Sequence, residues 1–141
     1  MKSYEQCLES HSQCIVCSDG HENPHSMQLK FTSISDHEVL ASYAVSEYHQ
    51  GYSRLLHGGL ASTLLDAAMT HCLLNKGIEA LTAELNVRFH VPVFVGDSVQ
   101  VLGRFLNEKR GIYFLEATLS VADAIVVKAT GKFILPKTGV I

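Results

Sequence analysis

The chain predicts an α+β fold, with one long buried helix and an antiparallel sheet curled around it. Three observations carry this. The stretch Gly58 to Lys76, GGLASTLLDAAMTHCLLNK, is apolar on nearly every side, and a helix of that kind is buried nearly all round. Runs of alternating apolar and polar residues precede and follow it, the period of half-buried strands. The chain has 141 residues, 47% hydrophobic and 18% charged. That is one domain's worth, with enough surface to bury for a core that needs no staples.

The elements follow in order. Residues 1–26 are polar and read as an irregular segment ending in the turn-like Asn23-Pro24. Met27, Leu29 and Phe31 alternate with polar residues and predict a strand. Val39, Ala41, Tyr43 and Val45 predict a second. His49 to Leu56 reads as a loop. The helix comes next, rich in Leu, Ala and Met, and Gly77 stops it. Four strands close the chain: Leu81 to Val91, Ser98 to Asn107, Ile112 to Val121 and Ala124 to Leu135. Their short connections predict an antiparallel meander. The whole chain, 1–141, reads as a single domain. Leftover strand edges favour self-association to a dimer or tetramer.

Composition excludes several partners. Eleven basic and 14 acidic residues give a net charge of −3, so there is no basic surplus to neutralise nucleic-acid phosphates. No apolar run reaches the length of a membrane span. The opening MKSYEQCLES has no apolar core of a secretory signal. A cytoplasmic location is expected, with Cys7, Cys14, Cys17 and Cys72 as thiols.

One residue departs from the helix pattern. Asp66 stands between Leu65 and Ala67, and at 100° per residue it shares a thin polar stripe with Gly59, Ser62 and Thr70. The stripe either faces water or lines a cleft in which desolvation tunes the carboxylate toward base or nucleophile chemistry. At the helix start stands His57-Gly58-Gly59. Paired glycines let another molecule approach the backbone. The unpaired amides of a first turn suit an anion, or a carbonyl becoming an oxyanion. A donor at the helix start and a carboxylate two turns inward are the parts needed to hydrolyse an activated carbonyl.

His57-Gly58-Gly59, the spaced Asp66, the strand Thr82-Ala83-Glu84-Leu85-Asn86-Val87-Arg88-Phe89 and Pro92 together resemble the hotdog-fold acyl-CoA thioesterases of the PaaI-like group. So does the order of elements, in which a sheet wraps a central helix. Cys14-Ile15-Val16-Cys17, Glu22-Asn23-Pro24 and His49-Gln50-Gly51-Tyr52 resemble features of one subgroup, and the likeness runs from about Cys14 to Leu135. The resemblance implies hydrolysis of an acyl-CoA or related thioester at a site between subunits. Asp66 would be general base or nucleophile, and the Gly58 amide would polarise the thioester carbonyl. His57 would shape the site and Thr82 would help place water. Many relatives carry an Asn about seven residues before the motif glycine. Here Gln50 and Gly51 stand there, which leaves Gln50 or His49 to orient water.

Gly59, His49, Arg88, Lys109 and Arg110 are candidates for substrate binding, the three cations for coenzyme A phosphates, as is Arg104. Glu84 is a second possible acid. His71 and His90 read as surface histidines. Ser62 has no triad partners. Cys14, Cys17, His21 and His25 have zinc-ligand types, but four ligands within so few residues make a shorter loop than usual. No metal and no cofactor is therefore expected, coenzyme A being part of the substrate. A non-catalytic binder of acyl-CoA or fatty ligands, or a dehydratase, is the rival reading, because fold alone does not decide chemistry.

Overall fold

A computed structural model describes residues 2–141. It contains α1 (Tyr4–Glu9), β1 (Thr32–Ser35), β2 (Glu38–Ala44), α2 (Gly58–Leu74), β3 (Leu81–Phe89), β4 (Ser98–Lys109), β5 (Ile112–Val121) and β6 (Ala124–Ile134). The strands form one sheet in the order β1-β2-β4-β5-β6-β3, and every neighbouring pair is antiparallel. The long helix α2 lies against β2 through β6. The α+β layout expected from the sequence is the one observed.

The core forms where the helix meets the sheet. Leu64, Leu65, Met69 and Leu73 of α2 pack with Val99, Val101, Leu115 and Phe133, all at most 1% exposed. Helix and sheet approach closely at Gly103. A Cβ there would stand 2.5 Å from the Ala68 carbonyl oxygen, so only glycine fits without moving backbone. The β5–β6 hairpin turns on Ala122 and Asp123, both at positive φ (49° and 66°). That left-handed pair matches the twist of a two-residue hairpin.

Four expectations change. The first strand is displaced: β1 begins at Thr32, and Leu29 and Phe31 are buried outside the ladder. The reason lies in the backbone, since Met27 and Leu29 donate to the carbonyls of Ile15 and Val16 instead of to a strand. Within 1–26, read as irregular, Tyr4–Glu9 is helical and closed by a Ser3–Gln6 capping box. The last four strands are not a simple meander, because β3 pairs with β6 and not with β4. Finally, His71 is not at the surface but 2% exposed. The N-terminal segment covers it. Phe31 stacks on its ring at 4.6 Å, and the Tyr4 hydroxyl hydrogen-bonds Nδ1 at 2.9 Å. Burial pushes its pKa down to about 4.

β3 is an edge strand whose expected apolar face is poorly covered. Leu81 is 41% exposed, Phe89 54% and, just beyond, Val91 48%. No helix among the described residues is long and apolar enough to cross a membrane.

Candidate functional site

The first turn of α2 is built around an unusual cap. His57 is the N-cap (φ −59°, ψ 129°), and its Nδ1 accepts from the Gly59 N–H at 2.9 Å. In this cap Nδ1 is the accepting nitrogen of the ring. The ring folds so closely over Gly59 that a Cβ there would meet Cε1 at 2.9 Å. The carbonyl of His57 takes up the Leu60 and Ala61 amides, each at 3.0 Å. That leaves the Gly58 N–H without an acceptor among the described residues. It sits at the positive end of a helix of 17 residues.

Gly58 opens on space. It lines an apolar cavity of about 210 Å³ with Leu55, Leu56, Ala61, Phe89 and Val127. It also lines a second hollow with Gly51, Tyr52 and His57. A Cβ at Gly58 would meet only the Phe89 ring, at 3.7 Å. The chain alone therefore does not require glycine at this position, unlike at Gly59. The loop before the helix is tied in: His57 donates its N–H to the His49 carbonyl at 2.9 Å, and His49 Nδ1 pairs with the Tyr43 hydroxyl.

Two turns inward, Asp66 is half-buried. The Thr82 hydroxyl on β3 donates to its Oδ1 at 2.6 Å. Burial raises the carboxyl pKa above the usual range, the Thr82 bond works against this, and the nearby Cys14 sulfur adds a smaller upward push. Thr70, on the same stripe, spends its hydroxyl on the Asp66 carbonyl at 2.9 Å. Along the stripe Gly59 is exposed, while Ser62, Asp66 and Thr70 are half-buried.

Other candidates are placed as follows. Gln50 is committed to its loop: Nε2 donates to the Glu47 carbonyl at 2.7 Å, and Oε1 accepts from the Arg54 N–H at 2.5 Å. Glu84 pairs with Lys132 at 3.0 Å. Arg104 is held between Glu38 and Glu116 at 2.9 and 3.2 Å. Arg88 faces Lys128 across the β3–β6 ladder, and with His90 the two line a polar hollow of about 330 Å³. Sequence reasoning missed Lys128; His90 is exposed, as the sequence predicts. The cross-strand register Arg88↔Lys128 was the signal, and it becomes visible only once β3 is known to pair with β6. Lys109 and Arg110 lie at the β4–β5 turn, at the other end of the sheet. Seven steps along β6 separate Val127, opposite Phe89, from Ile134, opposite Leu81 and Ile112, or roughly 23 Å. Asp66 and Thr82 belong to that far end, and Gly58 and Arg88 to the near one.

Comparison with known proteins gives a concordant result. The family model described as "Thioesterase superfamily" matches residues 54–128, just over half of the chain. Human acyl-coenzyme A thioesterase 13 is 27% identical over 109 residues, covering 76% of this chain and 74% of that protein. The E. coli PaaI protein superposes with a TM-score of 0.72 at 14% identity, over 93% of this chain and 88% of that one. A Streptococcus mutans protein solved bound to acetyl CoA gives a TM-score of 0.71 at 21% identity, over 77% and 88%. The structural likenesses establish the shared hotdog fold.

Proposed function

The chain belongs to the thioesterase superfamily, and on that footing we propose that it hydrolyses an acyl-CoA thioester to a carboxylic acid and free coenzyme A. The relatives named acyl-coenzyme A thioesterase support the substrate class, and the acetyl CoA on the S. mutans protein supports the coenzyme. The observation that carries the chemistry is the pairing of two unspent groups. One is the Gly58 amide, unpaired beside an apolar cavity. The other is Asp66, whose carboxylate keeps Oδ2 free while Thr82 holds Oδ1.

Water attacks the thioester carbonyl carbon and gives a proton to Asp66. The oxygen that becomes negative rests on the Gly58 N–H and the helix dipole. When the tetrahedral species collapses, the C–S bond breaks and the coenzyme A thiolate takes the proton. A base held above the ordinary carboxylate range suits this transfer near neutral pH. Attack by Asp66 itself, through a mixed anhydride, uses the same geometry. The acyl chain would occupy the apolar cavity, and Arg88, with Lys128, would face the coenzyme phosphates. His57 shapes the carbonyl side through its cap. His49 and Gln50 hold the loop beneath it. No separate cofactor takes part.

The two groups do not meet in one chain. Eight residues at about 1.5 Å rise put Gly58 and Asp66 roughly 12 Å apart along the axis, too far to act on one carbonyl. The reading therefore includes a dimer, in which the Asp66 end of one subunit faces the Gly58 end of the other and β3 gains cover. Light scattering should give a mass above the 15.5 kDa of one chain.

A mixed dimer tests the arrangement. Gly58→Pro and Asp66→Asn are each expected to be inactive alone. Coexpressed, they should recover activity, because one of the two shared sites is then intact. A mixed dimer as inactive as its parents would place each site within one chain. Tight acyl-CoA binding with no thiol release from any of a panel of short, long and aromatic thioesters would favour a binder instead.

A further inference from the structure

The N-terminal segment gathers three soft or borderline donors that the thioester chemistry does not use. His11, Cys14 and Cys17 bring one ligand atom each to within 4.8 Å of one another. Cys17 Sγ lies 3.8 Å from His11 Nδ1. Tetrahedral zinc, with Zn–S of about 2.3 Å and Zn–N of about 2.1 Å, holds sulfur and nitrogen roughly 3.6 Å apart. The backbone is shaped to the sulfurs as well. The Cys14 N–H donates to the His11 carbonyl at 3.0 Å, the Ser18 N–H to the Cys14 carbonyl at 3.1 Å, and the Val16 N–H points at Cys14 Sγ at 3.3 Å. These tight turns stack His11, Cys14 and Cys17 at steps of three. His21 and His25, which completed the set by sequence spacing, are exposed and outside the cluster.

One further observation points to a cation at this place. Beside the cluster, His71 sets its ring edge-on to His11 at 6.0 Å, and its Nε2 is buried with no partner among the described residues. The opposite ring nitrogen is fixed by Tyr4, the outer support that zinc-binding histidines have.

We propose that His11, Cys14 and Cys17 form a binding site for zinc or a similar borderline-soft divalent ion within the N-terminal segment, tied to α2 where His71 completes it. The remaining coordination position is open to water or to His71. Loading releases the thiol protons of Cys14 and Cys17 to solvent and forms two metal–sulfur bonds, with no change of oxidation state. The site is a structural clasp remote from Gly58, although its Cys14 stands near Asp66.

The test uses the full chain, reduced and freed of metal, titrated with Co²⁺ and then Zn²⁺. Co²⁺ should produce sulfur-to-metal charge-transfer absorption and the intense visible bands of a tetrahedral ion, and Zn²⁺ should displace it and raise the thermal midpoint. Cys14→Ser, Cys17→Ser and His11→Ala should each weaken Co²⁺ binding by more than the roughly 10–100-fold that follows loss of an outer partner. His21→Ala and His25→Ala should leave it unchanged. Circular dichroism of each variant separates lost binding from lost folding. The proposal fails if the folded, reduced wild type gives no sulfur-to-cobalt absorption. It fails equally if folded Cys14→Ser and Cys17→Ser keep wild-type affinity, or if His21 or His25 proves necessary.

Discussion

The first and third turns of α2 offer two kinds of chemistry from one helix. At the first turn the useful group is backbone. The Gly58 N–H is left over after His57 has capped Gly59, Leu60 and Ala61, and it opens on empty apolar space. At the third turn the useful group is a side chain, Asp66, half-covered and leaning on Thr82. A side-chain change can remove the second without touching the fold. The first needs a change that deletes an N–H. The contrast shows how a helix apolar on nearly all sides hosts a polar reaction: it lends its free end and one carboxylate, and keeps the rest for the core.

The largest effect should come from Asp66→Asn. Loss of a general base costs on the order of 10²–10⁴ in rate, and kcat/KM on the best thioester should fall by that much. Stability should move the other way. The folded pKa of Asp66 is raised, so the folded state holds this proton longer than the unfolded chain does. Its contribution to stability is present below the unfolded value of about 3.9 and is lost as pH rises through the folded value. At neutral pH the Asn variant should therefore melt no lower than wild type. A variant keeping half the wild-type kcat would remove Asp66 from the chemistry.

Gly58→Pro probes the other turn. Gly58 is the first helical residue, where proline is well accommodated. His57, at ψ 129°, already has the extended backbone that must precede proline. The substitution deletes one N–H and little else. A thermal midpoint near wild type with kcat down by about 10²–10³, the cost of losing an oxyanion donor, would sharpen the division of labour. An active variant would move the oxyanion site elsewhere.

A smaller effect is expected at Thr82→Val. Removing the hydroxyl that favours ionised Asp66 leaves burial unopposed, so the acid limb of the kcat/KM profile should move to higher pH. An unmoved limb would mean that another group titrates there. Smallest of all, Arg88→Ala should raise KM several-fold for a CoA ester, as expected for one exposed phosphate contact of about 1 kcal/mol. It should leave a short thioester lacking the nucleotide unaffected. Equal losses on both substrates would make Arg88 a structural residue.

Much of this was legible in the sequence where the signal is local. The glycine pair, the helix length and the lone carboxylate are all short-range facts, and so are the β4–β5 and β5–β6 hairpins. The unread parts depend on distant segments. Nothing near Leu81 says that it pairs with Ile134 on β6. His71 has the polarity of a surface residue, and its burial follows from Phe31 and Tyr4 folding over it. Gln50 looked free to orient water because its ties to Glu47 and Arg54 belong to a loop with no sequence period. His21 and His25 fit the spacing of a metal site, while the turns after α1 bring His11 to the sulfurs instead.

The uncovered flank of β3 has a consequence for how the protein works at different concentrations. On the proposed arrangement, the same surface that hides Leu81 and Phe89 also joins each Gly58 to a carboxylate. Mass action then governs stability and turnover together. As the protein is diluted past the point where subunits part, specific activity and melting temperature should fall in step. Saturating substrate, by bridging the two halves of the site, should move that point to lower concentration.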